Sequence, residues 1–171
     1  MITQPQPDEF APFYAGYVAR AAQQGDILET LTQLKESTHN FFSAVAVDKE
    51  NYAYAPGKWT VKQVLNHMID TERIFSFRLL CFTRQDTNTM PGFDENAYAE
   101  CADVSARLLS DLAAEFKTLR EANLYLYRSI TPKQSLQAGI ASGKTVSVRA
   151  LLYLIAGHEL HHLAILKERY L

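Results

Sequence analysis

Four long stretches of helical periodicity and the absence of any sustained alternating run predict an all-α chain folded as a four-helix bundle. At 171 residues, 47% apolar and 21% charged, the chain fits a single domain over residues 1–171 with a core of its own. A partial helix is expected near residues 13–23. The first long helix is expected over residues 26–47, with Asp26 as cap and Ile27, Leu28, Leu31, Leu34, Phe41, Phe42 and Val45 as apolar positions. Pro56-Gly57 marks a turn in the loop that follows. Thr60-x-x-Gln63 reads as a capping box, opening a second helix that runs to about Phe82. Residues 84–102 form the longest connection, and one so long is usually functional or crosses the end of a bundle. It argues against simple up-down-up-down order.

A third helix is expected over residues 103–129 on a near-heptad stripe of Val104, Leu108, Leu112, Leu119, Leu126 and Ile130, stopped by Thr131-Pro132. Gly139 and Gly143 punctuate a second connection. Thr145 or Ser147 then caps the last helix, which runs to about Arg169.

Composition removes several functions. The formal net charge is −2 with no basic run, so nothing favours nucleic acid. Cys81 and Cys101 make neither a disulfide framework nor a CxxC knuckle, which points to a reducing compartment. No stretch has the apolar length of a membrane span, and the N-terminus lacks the pattern of a signal peptide. The expectation is a cytoplasmic domain with no membrane partner.

The histidines carry the chemistry. Stepping by three and four along the last helix from Ile155 reaches His158, His162 and Ile165, so both rings interrupt the apolar seam. Two buried imidazoles four residues apart are costly without a common partner, which a divalent metal would supply. The plain alternative is a pair of hydrogen-bonded core histidines. A third ligand is needed. His67, at the edge of the second helix's buried face, is the first candidate and His39 the reserve. His161 falls on the flank of the seam, as a support to the ligands or in solvent. The string His158-Glu159-Leu160-His161-His162 also satisfies HExxH, the zinc-protease signature, with Glu159 as base. No Gly-x-x-His follows it, and no sheet edge is expected on which a peptide could lie.

Two stretches carry a resemblance. Residues 54–73 contain Lys58-Trp59-Thr60 and His67, and residues 156–163 contain His158-x-x-x-His162. With Phe75-Ser76-Phe77-Arg78 and Pro91-Gly92-Phe93, they resemble the DinB-like superfamily, in its YfiT-like branch of metal-dependent hydrolases. The resemblance implies an up-down-down-up bundle, usually a homodimer, with a three-histidine site mapping onto His67, His158 and His162. It implies nickel or zinc as the ion. It also implies a hydrolase, or a transferase using a low-molecular-weight thiol, acting on a small molecule.

Three neutral imidazoles leave a divalent ion open positions at which water or a thiol is activated. Around them Asp70 could orient a ligand histidine, or pair with Arg73 or Arg78 instead. Glu159 would be a base only if it faced the pocket, and a solvated or interhelical salt bridge fits its position better. Glu72 and Arg73 could line the cavity, though ion pairs are the commoner role, and Trp59 and Tyr153 are expected as packing near the pocket mouth. The competing class is a non-catalytic metal-binding bundle, a sensor or binding module.

Overall fold

In the computed structural model, which describes residues 2–171, the helices are α1 (Ala15–Ala22), α2 (Ile27–Ser43), α3 (Val61–Thr83), α4 (Glu95–Cys101), α5 (Leu109–Arg128), α6 (Pro132–Ser135) and α7 (Val148–Arg169). Each long helix except α5 begins at a side-chain cap. Asp26 accepts from the amides of Leu28 and Glu29, Thr60 and Gln63 close a reciprocal box, and Ser147 accepts from Ala150 N.

Helix α5 starts six residues later than its apolar spacing suggests. Asp103 is bonded to the amide and hydroxyl of Ser105 in a turn, and Lys62 Nζ takes the carbonyl of Arg107 at 2.9 Å. These bonds compete with helical hydrogen bonding. The buried stripe of α5 is therefore Leu109, Leu112, Phe116, Arg120, Leu124 and Tyr127, while Leu108 is exposed. Helix α2 stops at Ser43, four residues short of expectation, and Val47 lies in a separate, exposed turn.

Both connections hold more structure than expected. The first contains α4, capped by Asp94. The second is an antiparallel hairpin of β1 (Ala138–Ala141) and β2 (Lys144–Ser147), turned at Ser142 (φ 53°) and Gly143 (φ 71°). Two consecutive positive φ values give the tight turn that matches strand twist, and glycine meets the second without steric cost. The hairpin's open edge is partly taken by Met90, whose amide donates to Ile140 O at 2.8 Å.

Cross-helix pairs give the helix directions. Thr32 meets Arg128 and Glu36 meets Lys117, so α2 and α5 are antiparallel. Arg73 meets Glu115 and Ser76 meets Tyr127, so α3 and α5 are parallel. Trp59 meets Tyr170 and His67 meets His158, so α3 and α7 are antiparallel. Thr38 meets Glu159 and Phe41 meets Lys167, so α2 and α7 are parallel. The order is up-down-down-up, and the bundle encloses one core of Leu, Ile, Val and Phe side chains.

Helix α1 lies against α7 at Gly157, where an added Cβ would sit 2.0 Å from Tyr17 O. Only glycine admits that approach, and it brings the Tyr17 ring to 5.7 Å from that of His158. Among the described residues, no helix is long and apolar enough to cross a membrane.

Candidate metal centre

The antiparallel pairing of α3 and α7 brings three rings from distant parts of the chain to one point. His67 projects from α3 two turns after its cap, and His158 and His162 project from successive turns of α7. His67 Nε2 lies 2.9 Å from His158 Nε2, and His162 Nε2 lies 3.0 Å from the same atom. One nitrogen from each ring falls within 4.8 Å of the others.

Hydrogen bonding alone does not account for this arrangement. An imidazole Nε2 offers either one N–H or one lone pair, so His158 Nε2 cannot bond both neighbours well. Three lone pairs aimed at a shared cation can all be satisfied. Nitrogens held about 2.0–2.1 Å from an ion stand roughly 2.9–3.4 Å apart, so the observed spacing suits a divalent metal.

Electrostatics favours the ligand form of the rings. Burial pushes His67 down to about 4, against a small upward pull from Glu95, and pushes His162 down to about 3. His158, buried and beside two other imidazoles, is held well below the ordinary range. All three are therefore neutral near neutral pH, with lone pairs free.

The trio lies in the wall of a cleft of about 520 Å³. Phe13, Tyr14, Tyr17, Trp59 and Phe75 line it, and Gly92, Phe93, Glu95 and Ser142 come from the two connections. Thr71, one turn beyond His67, also faces it. The Thr71 Oγ1 is the one buried side-chain polar atom among the described residues that has no hydrogen-bond partner. Such an atom costs stability unless something fills the site beside it.

Glu159, adjacent to His158 in sequence, turns the other way. Its carboxylate accepts from Arg120 Nη2 at 2.7 Å and from Thr38 Oγ1 at 2.5 Å. Arg120 also grips Glu72 through two bonds of 2.7 and 2.8 Å and donates to Leu31 O. This closed cluster joins α2, α3, α5 and α7. A void of about 10 Å³, roughly the size of one water, separates it from His158. Burial pushes the Glu159 carboxyl up, while Arg120 and Thr38 pull it down. Glu159 therefore has an interhelical salt bridge and no place in the cleft, so it cannot serve as the base of an HExxH protease.

The remaining expected residues are spread more widely. Asp70 accepts from Asn66 at 3.0 Å and lies 3.7 Å from Arg73, so it joins a surface ion pair and bonds no ligand histidine. His161 is half-buried, with its ring 5.2 Å from that of Tyr17. His39 lies outside the trio, beside Asn40. Glu72 pairs with Arg120 and Arg73 with Glu115, both in ion pairs as expected. Trp59 packs on His67 at 4.7 Å between ring centroids. Tyr153 is buried about one and a half turns before His158 on α7 and does not line the cleft, so its expected place near the mouth is corrected.

Sequence reasoning missed Thr71, Glu95 and Arg120. Arg120 left a signal, a charge four residues from both Phe116 and Leu124 on an apolar face. Thr71 sits four residues after His67, on the same face. Glu95 left none, because only the folded connection brings it to the histidines.

Known proteins resemble this chain in sequence and in fold. The sequence pattern of the DinB superfamily matches residues 21–166. A protein of Oceanobacillus iheyensis, provisionally named a metal-dependent hydrolase, is 25% identical over 146 residues, covering 83% of this chain and 84% of its own. One of Bacillus licheniformis with the same provisional name is 29% identical over 153 residues, covering 85% and 86%. The solved structure of YfiT from Bacillus subtilis, described as having an unusual four-helix bundle topology, superposes with a TM-score of 0.73 at 22% identity, over 83% of this chain and 82% of its own.

Proposed function

The chain belongs to the DinB superfamily, and on that premise we propose that it is a metal-dependent hydrolase of a small molecule, with His67, His158 and His162 holding one divalent ion, nickel or zinc. The observation that carries this reading is the convergence of three Nε2 atoms, 2.9 and 3.0 Å apart in two of the pairs, in the wall of an accessible cleft. A divalent ion held there supplies Lewis acidity, which activates water as a nucleophile and polarises a carbonyl or phosphoryl oxygen.

The chain's own residues do the rest. Burial keeps the three imidazoles unprotonated, and packing against Trp59 and Tyr17 holds the His67 and His158 rings in place. The cleft is of a size that suits a small molecule, and its aromatic walls limit water around the reacting group. Thr71 Oγ1 has no partner among the described residues and is buried where the wall of the cleft meets the small void behind His158. The purely structural alternative, a metal that only braces the bundle, is disfavoured because the trio opens on the cleft.

A thiol co-substrate could use the same site, and one assay separates the two outcomes. Protein stripped with chelator and reloaded with nickel or zinc is screened against simple esters and amides, and against a thiol with an electrophile. The proposal expects ester or amide hydrolysis that disappears with the metal and returns on reloading. Thiol adducts without hydrolysis would move the assignment to a transferase. Inactivity in both screens, with metal bound and enclosed, would favour the sensor or binding module.

A further inference from the structure

The charge and shape of the cleft bear on its substrate. Six aromatic side chains line it, among them Tyr14, Tyr17, Trp59 and Phe93. No lysine or arginine does so among the described residues, and its one carboxylate is Glu95, the first residue of α4. Arg78 borders the cleft without lining it: its guanidinium lies over the Phe75 ring, 5.7 Å from the centroid, and donates to Pro91 O at 2.6 Å and Ser142 Oγ at 3.2 Å. The start of α4 offers no anion site either, since Asp94 already accepts from the Asn96 and Ala97 amides.

The Glu95 carboxylate is exposed and lines the cleft. Burial raises the pKa of Tyr14 and Tyr17; at Tyr14 the Arg78 charge opposes it while Tyr17 and Glu95 add to it, and at Tyr17 Glu95 adds to it while Arg20 opposes it. Aromatic faces attract cations and flat apolar groups, and a carboxylate attracts cations. An anionic group away from the ion would meet π-faces, the neutral Ser142 and a like charge, with no cation in the lining among the described residues.

Building on the three-histidine reading, we propose that the cleft selects a flat aromatic or apolar molecule whose end remote from the reacting group is uncharged or cationic, and that Glu95 pairs with a cationic end. A phosphorylated substrate, or one with further carboxylates away from the reaction centre, fits this cleft poorly.

Zinc-loaded full-length protein tests this with three benzohydroxamates that share one metal-binding head. They carry para-trimethylammonium, no substituent, or para-sulfonate. Trp59, the chain's single tryptophan, stands beside His67 and reports their binding by fluorescence. The ammonium probe should bind roughly tenfold tighter than the unsubstituted one, and the sulfonate weaker still. Glu95→Gln should bring the ammonium-to-unsubstituted ratio towards one, and Glu95→Lys should reverse the order. Sulfonate binding as tightly as ammonium, or an order unaltered by either substitution, would overturn the proposal. If no hydroxamate binds with zinc present, the three-histidine reading fails first and takes this inference with it.

Discussion

Two buried polar clusters lie side by side in this bundle, and neighbouring residues of α7 belong to different ones. His158 points to the trio and Glu159 to Arg120. In the arginine cluster nearly every donor faces an acceptor: Arg120 bonds Glu72, Glu159 and Leu31 O, and Thr38 and Asn123 complete the carboxylates. The histidine cluster presents only converging nitrogens, with the unpartnered Thr71 hydroxyl close by in the same cleft. A satisfied, closed network holds helices in register, whereas an unsatisfied one that opens on a cleft asks for a ligand. Burial alone separates nothing here, since His67 and His158 are nearly as buried as Glu72 and Glu159.

The comparison breaks most visibly at Arg120. Arg120→Leu strands two carboxylates in the core and should cost about 3–5 kcal/mol in urea unfolding. Adding Glu72→Gln and Glu159→Gln to that variant should recover part of the loss. His158→Ala should cost much less stability in metal-free protein. Equal losses at Arg120 and His158 would erase the distinction between a structural cluster and a functional one.

Thr71→Val sharpens the same contrast at smaller scale. The substitution keeps the shape and removes an unbonded hydroxyl, so stability should change by less than about 1 kcal/mol or rise. Metal-dependent turnover should fall by roughly tenfold or more if Oγ1 bonds the reacting oxygen. A large stability loss with turnover intact would assign the hydroxyl to packing.

Much of the bundle could be read from sequence because caps and apolar spacing act locally. Asp26, Thr60 with Gln63, and Ser147 all start helices where their side chains predict. The start of α5 could not be read, since it depends on Lys62 reaching carbonyls more than forty positions away. Arg120 lies on the buried face with Phe116 and Leu124, where a heptad drawn through Leu108 and Leu119 had not placed it. The hairpin was missed because four-residue strands are too short to show alternation, although Ser142-Gly143 marked its turn. In the site, the i,i+4 pair of α7 was visible as a break in its seam. Phe93 and Glu95 come to the cleft only through the path of the first connection, and Tyr14 through the segment before α1.

Metal content after equilibrium dialysis near neutral pH tests the central claim most directly. Wild-type chain and His39→Ala should each retain one zinc or nickel ion per chain, while His67→Ala, His158→Ala and His162→Ala should each lose it with helical content preserved. One ion per chain retained in all three variants would contradict the account.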